Sequence, residues 1–376
     1  MRSLALAIVL AATPVAAQEA PPPDIAALPA ATTPAERPPG FEIHGLVVPW
    51  WTPWSQASPL AATDAWRLRF AVLRVDARPT NGLSVIVRLG FMLPGSPLLD
   101  AAATYYPTSS IGVTFGQFRL PLGAAATTLA PQLVMLDRPT YVYAMTKLAF
   151  RDVGVMVHGP PEGQAGVHYR VAFASGAGRF GAGESRAPSE HAYLVGARLM
   201  LERSAGSRRV LVGASGAVSH DPAVATGSAT TDATAAAGVL GRTLAPIGLS
   251  RTTLLAGVDA SLSLGSWWLQ AEAMYLRSRA TDDSVTKQAL GASLELAWTM
   301  PLRLGDHAVQ LAVRDEWFDP DRDAGSNERD ILGVGVNVSR GRLRWSAFGN
   351  LAWIESPATG DYDAAAEITV RAVAAF

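Results

Sequence analysis

The chain contains no cysteine and only two lysines, Lys147 and Lys287. The absence of cysteine excludes disulfide bonds, thiolate metal sites and a cysteine nucleophile. A formal net charge of -1 gives no reason to expect binding to nucleic acid. Although 49% of the residues are hydrophobic, no run of about 18 apolar residues, the length that a transmembrane helix needs, follows the first 20 residues. The chain is therefore either a soluble protein with a large core or a membrane protein that spans as strands.

The first residues have the pattern of an export signal. Residues 1–17 combine the basic Arg2, a short apolar core and small residues before Gln18. This pattern predicts a cleaved signal peptide, because the apolar core is too short for a membrane anchor. Residues 18–40 are rich in Pro and Ala, which predicts an extended periplasmic leader. We expect the folded domain to occupy residues 41–376.

From Phe41 onward, short segments of alternating polar and apolar residues are separated by turn residues. This repeated pattern predicts an all-β protein, a transmembrane antiparallel up-and-down barrel, because a closed sheet leaves no unpaired edge in lipid. About sixteen segments are present, enough for a barrel with an aqueous channel. They are residues 41–49, 66–76, 82–93, 99–107, 110–119, 150–158, 165–175, 190–203, 208–219, 250–264, 267–277, 286–299, 307–318, 329–339, 342–354 and 363–376.

The connections between these segments alternate in length. Odd-numbered segments are followed by long connections such as 120–149, and even-numbered segments by short turns such as 108–109 and 340–341. The short connection 94–98, where a long one is expected, is an exception. Long loops at one end and tight turns at the other are typical of outer-membrane barrels, whereas soluble sandwiches and propellers do not sort their loops in this way.

Within the segments one face is apolar and the other is mixed, and the charged residues lie on the mixed face together with Ser, Gly and Asn. A charge on the lipid face at mid-bilayer would cost about 2–4 kcal/mol, so we expect the charged face to line a water-filled lumen. Alternation slips between Arg69 and Arg74, which indicates either a β-bulge or a misplaced segment boundary there. The arginines that this pattern turns toward the lumen are Arg67, Arg69, Arg88, Arg170, Arg198, Arg314, Arg344 and Arg371.

Several short motifs follow one another along the chain. They are GQFRLPLG at 116–123, LDRP at 136–139, RDVGV at 151–155, YRVAFASG at 169–176, GVDA at 257–260, LQAE at 269–272, RDEWFDPD at 314–321 and LGVGVN at 332–337. In this order they resemble the phosphate-selective porin family, porins O and P, over most of the chain after Phe41. The resemblance implies a sixteen-stranded, usually trimeric ion-transporting barrel in the bacterial outer membrane. It also implies that the third loop, here residues 120–149, folds into the lumen and narrows the pore.

Anion selectivity in that family depends on rings of Arg and Lys at the constriction. The resemblance places Arg119, Arg138, Lys147 and Arg151 there, with Asp137 and Asp152 in the same stretch. Six acidic residues are available as countercharges for the lumen arginines: Glu202, Asp259, Glu272, Glu295, Glu316 and Glu367. Two interpretations stay open, a basic path for anions such as phosphate or paired charges that only brace the wall.

The sequence thus predicts a porin for passive diffusion of small hydrophilic solutes, with an anion or phosphate preference. We expect a homotrimer in outer-membrane lipid that needs no cofactor or metal. The alternative is a structural or adhesion barrel with an occluded lumen. An enzyme acting at the rim is disfavoured, because no spacing singles out a nucleophile near His220 and Asp221. Residues 319–330 resemble a calcium loop, but Ala324 stands where such loops need Gly, which favours an acidic surface loop.

Overall fold

The computed structural model describes most of the predicted barrel. The described residues are 39–55, 66–91, 98–129, 132–135, 137–146, 151–160, 165–175, 192–220, 252–279, 286–322, 328–355 and 360–375. The predicted signal peptide and nearly all of the predicted leader lie outside these ranges, as do Lys147 and part of the calcium-like stretch.

Sixteen antiparallel strands form one closed sheet, in which each strand pairs with its sequence neighbours and β1 pairs with β16. The predicted sixteen-stranded antiparallel barrel is therefore confirmed. The strands are β1 Gly40–Ser55, β2 Trp66–Thr80, β3 Leu83–Gly90, β4 Leu98–Thr108, β5 Ile111–Arg119, β6 Arg151–His158, β7 Gly166–Ala174, β8 Tyr193–Ala205, β9 Arg208–His220, β10 Thr252–Leu264, β11 Trp267–Arg279, β12 Thr286–Leu304, β13 His307–Asp319, β14 Arg329–Arg340, β15 Leu343–Glu355 and β16 Tyr362–Ala375.

Two strands are clearly longer than predicted. The prediction ended the first at Pro49 and the twelfth at residue 299, two residues before Pro301. β1 continues past Pro49 and β12 continues past Pro301. In each case the pairing with the next or previous strand shifts register nearby, between Val48 and Pro49 and between Thr299 and Arg303. A bulge lets a strand accommodate a residue that cannot donate to the ladder, which is why proline did not end these strands.

The alternation of side chains is clearest on β8, whose residues are exposed and buried in turn. Leu199 is 57% exposed, whereas its neighbour Met200 is 1% exposed. Exposed apolar side chains such as Val171, Phe173 and Val258 occupy the same outer face on other strands. A continuous belt of Val, Leu and Phe is unfavourable in water and fits hydrocarbon, so the outer face is the lipid face.

A β-bulge lies on β2 where the sequence alternation slips. Val48 of β1 pairs with Phe70, whereas Pro49 pairs with Leu68, so Arg69 is the extra residue. Of the two interpretations, the β-bulge is therefore confirmed, and it lies at the start of the predicted interval.

Tight turns follow β2, β4, β8, β10, β12 and β14, as predicted from the connection lengths. Five of these turns contain a glycine with φ between 56° and 82°, a conformation that other residues rarely adopt: Gly82, Gly206, Gly265, Gly305 and Gly341. Two short helices, α1 (Ala124–Thr127) and α2 (Thr140–Thr146), both lie in the connection between β5 and β6. Over the part of the chain that the structure describes, no helix is long and apolar enough to cross a membrane.

Val258, at the centre of β10, tests the assignment of the lipid face because it is 60% exposed. We expect Val258→Arg to destabilise the barrel in phospholipid vesicles by about 2–4 kcal/mol, since the charge would lie in hydrocarbon. Ser261→Arg is the matched control, because Ser261 lies on the same strand but on the face of Asp259. Urea unfolding followed by tryptophan fluorescence measures both variants. An equal loss of stability in the two would contradict the assignment.

Candidate functional site: the barrel lumen

The third loop, which joins β5 to β6, lies inside the barrel. Tyr141 of α2 has its hydroxyl 2.9 Å from Ser293 Oγ on β12. The backbone N–H of Gly123 donates to Ser215 Oγ on β9 at 3.0 Å. Both serines belong to the inner wall, so the described part of the loop occupies the lumen, as the resemblance implied.

An apolar core forms between the third loop and one side of the wall. Leu120, Leu122, Tyr141 and Val142 are fully or almost fully buried there. They pack against inner-facing residues of β7 to β13, namely Ala172, Ala174, Leu194, Ala217, Leu255, Met274, Leu276, Ala289 and Phe318. The inner face of these strands therefore meets the loop over this area, which differs from the expectation of a water-filled lumen along the whole wall.

Charged side chains of the wall bind the backbone of the third loop. Two carboxylates accept hydrogen bonds from backbone N–H groups of the loop, Glu272 from Ala125 at 2.8 Å and Glu316 from Thr140 at 2.5 Å. Two guanidinium groups donate to backbone carbonyl oxygens of the loop, Arg314 to Asp137 at 2.6 Å and Arg371 to Met135 at 3.2 Å. A hydrogen bond to a charged group contributes about 1.5–3 kcal/mol, and breaking one leaves a buried charge unsatisfied. These four contacts fix the loop across the lumen.

A group of four arginines, which we call the basic cluster, consists of Arg88, Arg119, Arg138 and Arg151. Arg88 and Arg151 share Asp100, each with a nitrogen–oxygen distance of 2.7 Å. Arg119 lies within electrostatic range of the other three arginines. Two members also hold the loop, since Arg119 donates to Thr127 O at 2.8 Å and Arg138 to Ala125 O at 2.8 Å. The structure thus brings together three of the predicted constriction residues and one predicted lumen residue, namely Arg119, Arg138, Arg151 and Arg88. This arrangement concentrates positive charge beside the third loop.

The other predicted lumen arginines on the described strands differ in their partners. Arg198 binds Asp259 at 2.8 Å, and Arg314 binds Glu295 at 3.2 Å. Arg170 lies opposite Arg198 on β7. Asp259 and Glu295 are two of the six acidic residues that the sequence offered as countercharges. The side chains of Arg67 and Arg69 and the whole of Lys147 lie outside the described part of the structure.

The inward-facing charged residues that sequence reasoning missed include Asp100 and Arg209. Asp100 is the carboxylate that Arg88 and Arg151 share, and Arg209 binds Glu202 through two nitrogens at 2.7 and 3.1 Å. Asp100 is the one charged residue of β4, which is the signal that could have identified it. Among the described residues, no group of three or more His, Asp or Glu side chains could hold a metal ion.

No family model matches the chain, and no curated protein sequence matches it. Solved structures are similar over 90% of the chain. They include OmpT of Vibrio cholerae lacking loop L8 (TM-score 0.59, 10% identity, 100% of that chain), an anion-selective porin from Comamonas acidovorans (0.57, 11%, 100%) and the outer membrane channel DcaP of Acinetobacter baumannii (0.55, 11%, 98%). A trimer form of OmpT also matches, with a TM-score of 0.56 and 9% identity.

This chain has the fold of a bacterial outer-membrane porin. At such low identity the likeness establishes the fold alone, and membership of the phosphate-selective family stays a prediction. The porin fold accounts for the apolar outer belt, the tight turns at one end and the third loop inside the barrel. What passes through the lumen depends on the side chains that line it.

Gly291 on β12 tests how tightly the third loop is seated, because a Cβ added there would collide with the Tyr141 side chain. We expect Gly291→Ala to displace α2 and to cost about 1–3 kcal/mol of stability, as overpacking does. Gly196→Ala on β8 is the matched control, since the nearest atoms to its added Cβ lie at 3.7 Å. Urea unfolding of both variants decides the point. A Gly291→Ala protein as stable as the control would show that the loop does not press on the wall here.

Proposed function

We propose that this chain is an outer-membrane porin through which small hydrophilic solutes diffuse passively, with a preference for anions. The observation that carries the proposal is the basic cluster beside the third loop. Positive charge at the narrow part of an aqueous path lowers the barrier for anions and raises it for cations. The similar porin from Comamonas acidovorans is described as anion-selective, which supports the same preference here.

The motifs that resemble phosphate-selective porins add inorganic phosphate as a candidate anion. Arg119, Arg138 and Arg151 are the described residues that would contact it, because a guanidinium presents paired N–H donors that match phosphate oxygens. Permeation of phosphate against chloride, compared at equal ionic strength, tests this narrower proposal.

We also propose how the chain reaches its site of action. Residues 1–17 would direct export and be removed, residues 18–40 would form a periplasmic leader, and the barrel would assemble as a homotrimer in outer-membrane lipid. The signal-like composition, the apolar outer belt and the trimer form of the similar OmpT support these steps. Purified mature protein is expected to begin at Gln18, as N-terminal sequencing would show. An N-terminus that retains Met1 would contradict cleavage.

A second candidate function is a structural or adhesion barrel whose lumen is occluded. The reach of the third loop favours it, because the described part contacts residues of six other strands: Ser215, Glu272, Ser293, Glu316, Asn337 and Arg371. Reconstitution of the full-length protein in planar bilayers separates the two functions. A porin gives stepwise increases in conductance, whereas an occluded barrel gives none.

Arg88 provides the test of anion preference. We expect Arg88→Gln to lower the anion-to-cation permeability ratio at least about twofold, because a unit charge a few ångströms from the path is worth about 0.5–1 kcal/mol in a water-like medium and acts with opposite sign on anions and cations. The variant should still fold, since Asp100 keeps Arg151 as a partner. The control is Arg340→Gln, whose side chain is 61% exposed.

Reversal potentials in a salt gradient measure the ratio for both variants. Arg340→Gln is expected to match the unmodified protein. An unchanged reversal potential in a folded, conducting Arg88→Gln barrel would place the selectivity elsewhere.

A further inference from the structure

Arg344 is a buried arginine of the inner wall for which the described part of the chain provides no hydrogen-bond or ion-pair partner. Arg344 on β15 is 7% exposed, and its Nε and Nη2 atoms form no hydrogen bond. No carboxylate among the described residues forms a salt bridge with it. Other buried lumen arginines differ in this respect, since Arg198 holds Asp259 and Arg314 holds Glu295. An isolated buried charge is costly, so a group of this kind calls for an anionic ligand.

The neighbours of Arg344 in the sheet explain the absence of a partner. Ser339 of β14 and Val373 of β16 lie directly opposite Arg344. Arg371, which pairs with Ser346, is the next inward-facing charge on β16. None of the neighbouring inward positions, which are 337, 339, 342, 346, 371, 373 and 375, carries an acidic residue. The local surroundings are therefore positive.

An apolar patch lies beside this arginine on the inner wall. Val373 packs with Leu46 and Val48 of β1, and all three are at most 8% exposed. No described residue of the third loop belongs to this patch, in contrast to the apolar core on β7 to β13. A ligand that satisfies both features needs one negative group for Arg344 and an apolar part for the valines and leucine.

The charge expected of the ligand follows from the single guanidinium group, that of Arg344, that it has to neutralise. One carboxylate neutralises Arg344 and can accept two parallel N–H bonds from it. A dianion would carry an extra negative charge onto an apolar surface, which is unfavourable at low dielectric. The chemistry of the site therefore favours a monoanion.

We propose that Arg344 binds small aliphatic monocarboxylates, with the carboxylate on the guanidinium and the alkyl part on Leu46, Val48 and Val373. The site lies near the tight-turn end of the lumen, three residues from Gly341, and is separate from the basic cluster on β3, β5, β6 and the third loop. As a step in transport it rests on the proposed porin function. The binding itself does not require conductance.

The test uses full-length protein in detergent at pH 8, with sodium butyrate as the probe. We expect butyrate to raise the melting temperature by about 1–3 °C at saturation, because a ligand that binds the folded state stabilises it. Butyramide, the uncharged analogue, should give no shift. Phosphate at equal ionic strength, mainly a dianion at this pH, should give a smaller shift than butyrate.

Two variants assign the effect to the side chain. Arg344→Gln should abolish the butyrate shift, and Arg340→Gln, at the exposed turn nearby, should retain it. An equal shift in Arg344→Gln, or shifts with butyramide or phosphate as large as with butyrate, would overturn the proposal. If Arg344→Gln does not fold, Arg88→Gln decides the matter, because Arg88 lies in the basic cluster. That variant should retain the butyrate shift, and its loss there would place the binding in the basic cluster and overturn the proposal.

The outcome is distinguishable from that of the porin proposal. A barrel that shows the butyrate shift but no conductance would keep the site and reject the porin. A conducting barrel without the shift would keep the porin and reject the site.

Discussion

The barrel depends on the hydrogen bonding of its backbone in a medium without water. Every buried N–H and C=O group in hydrocarbon needs a partner, and a closed ring of antiparallel strands provides one for each. Pairing of β1 with β16 is the contact that closes the ring. Once the ring is closed, side chains must separate into an outer and an inner set, because successive residues of a strand point to opposite faces. The outer belt and the charged lumen are both consequences of that closure.

The inward-facing side chains then divide into those that hold the third loop and those that place charge beside it. On β7 to β13 they hold the third loop, through an apolar core and through charged groups such as Glu272 and Glu316 that bind the loop backbone. On β3 to β6 the basic cluster leaves positive charge beside the loop. Arginine suits both tasks, since one guanidinium can bind a carboxylate or a carbonyl oxygen and still keep its charge. The scarcity of lysine in the chain is consistent with this use.

The sequence predicts features that depend on the alternation of consecutive residues, but it does not predict contacts between residues far apart in the chain. The alternation on β8 and the slip at Arg69 were readable because they involve consecutive residues. The contact of Arg371 with Met135 O joins residues 236 positions apart, and no local pattern encodes it. Arg344 and Arg371 both face the lumen, yet Arg371 holds the loop, whereas Arg344 has no partner among the residues that the structure describes. The partners of lumen charges therefore required the structure, whereas their inward direction did not.

The reach of the third loop has a consequence for the order of assembly. The loop leaves the wall after β5, but its anchors Glu316, Asn337 and Arg371 lie on β13, β14 and β16. Contacts between residues so far apart in the chain form late, since the intervening chain must first be ordered. We expect the barrel to close around a loop that is still unanchored and to fix it only at the end. During insertion the lumen would then pass through a wider state, before the anchored loop narrows it.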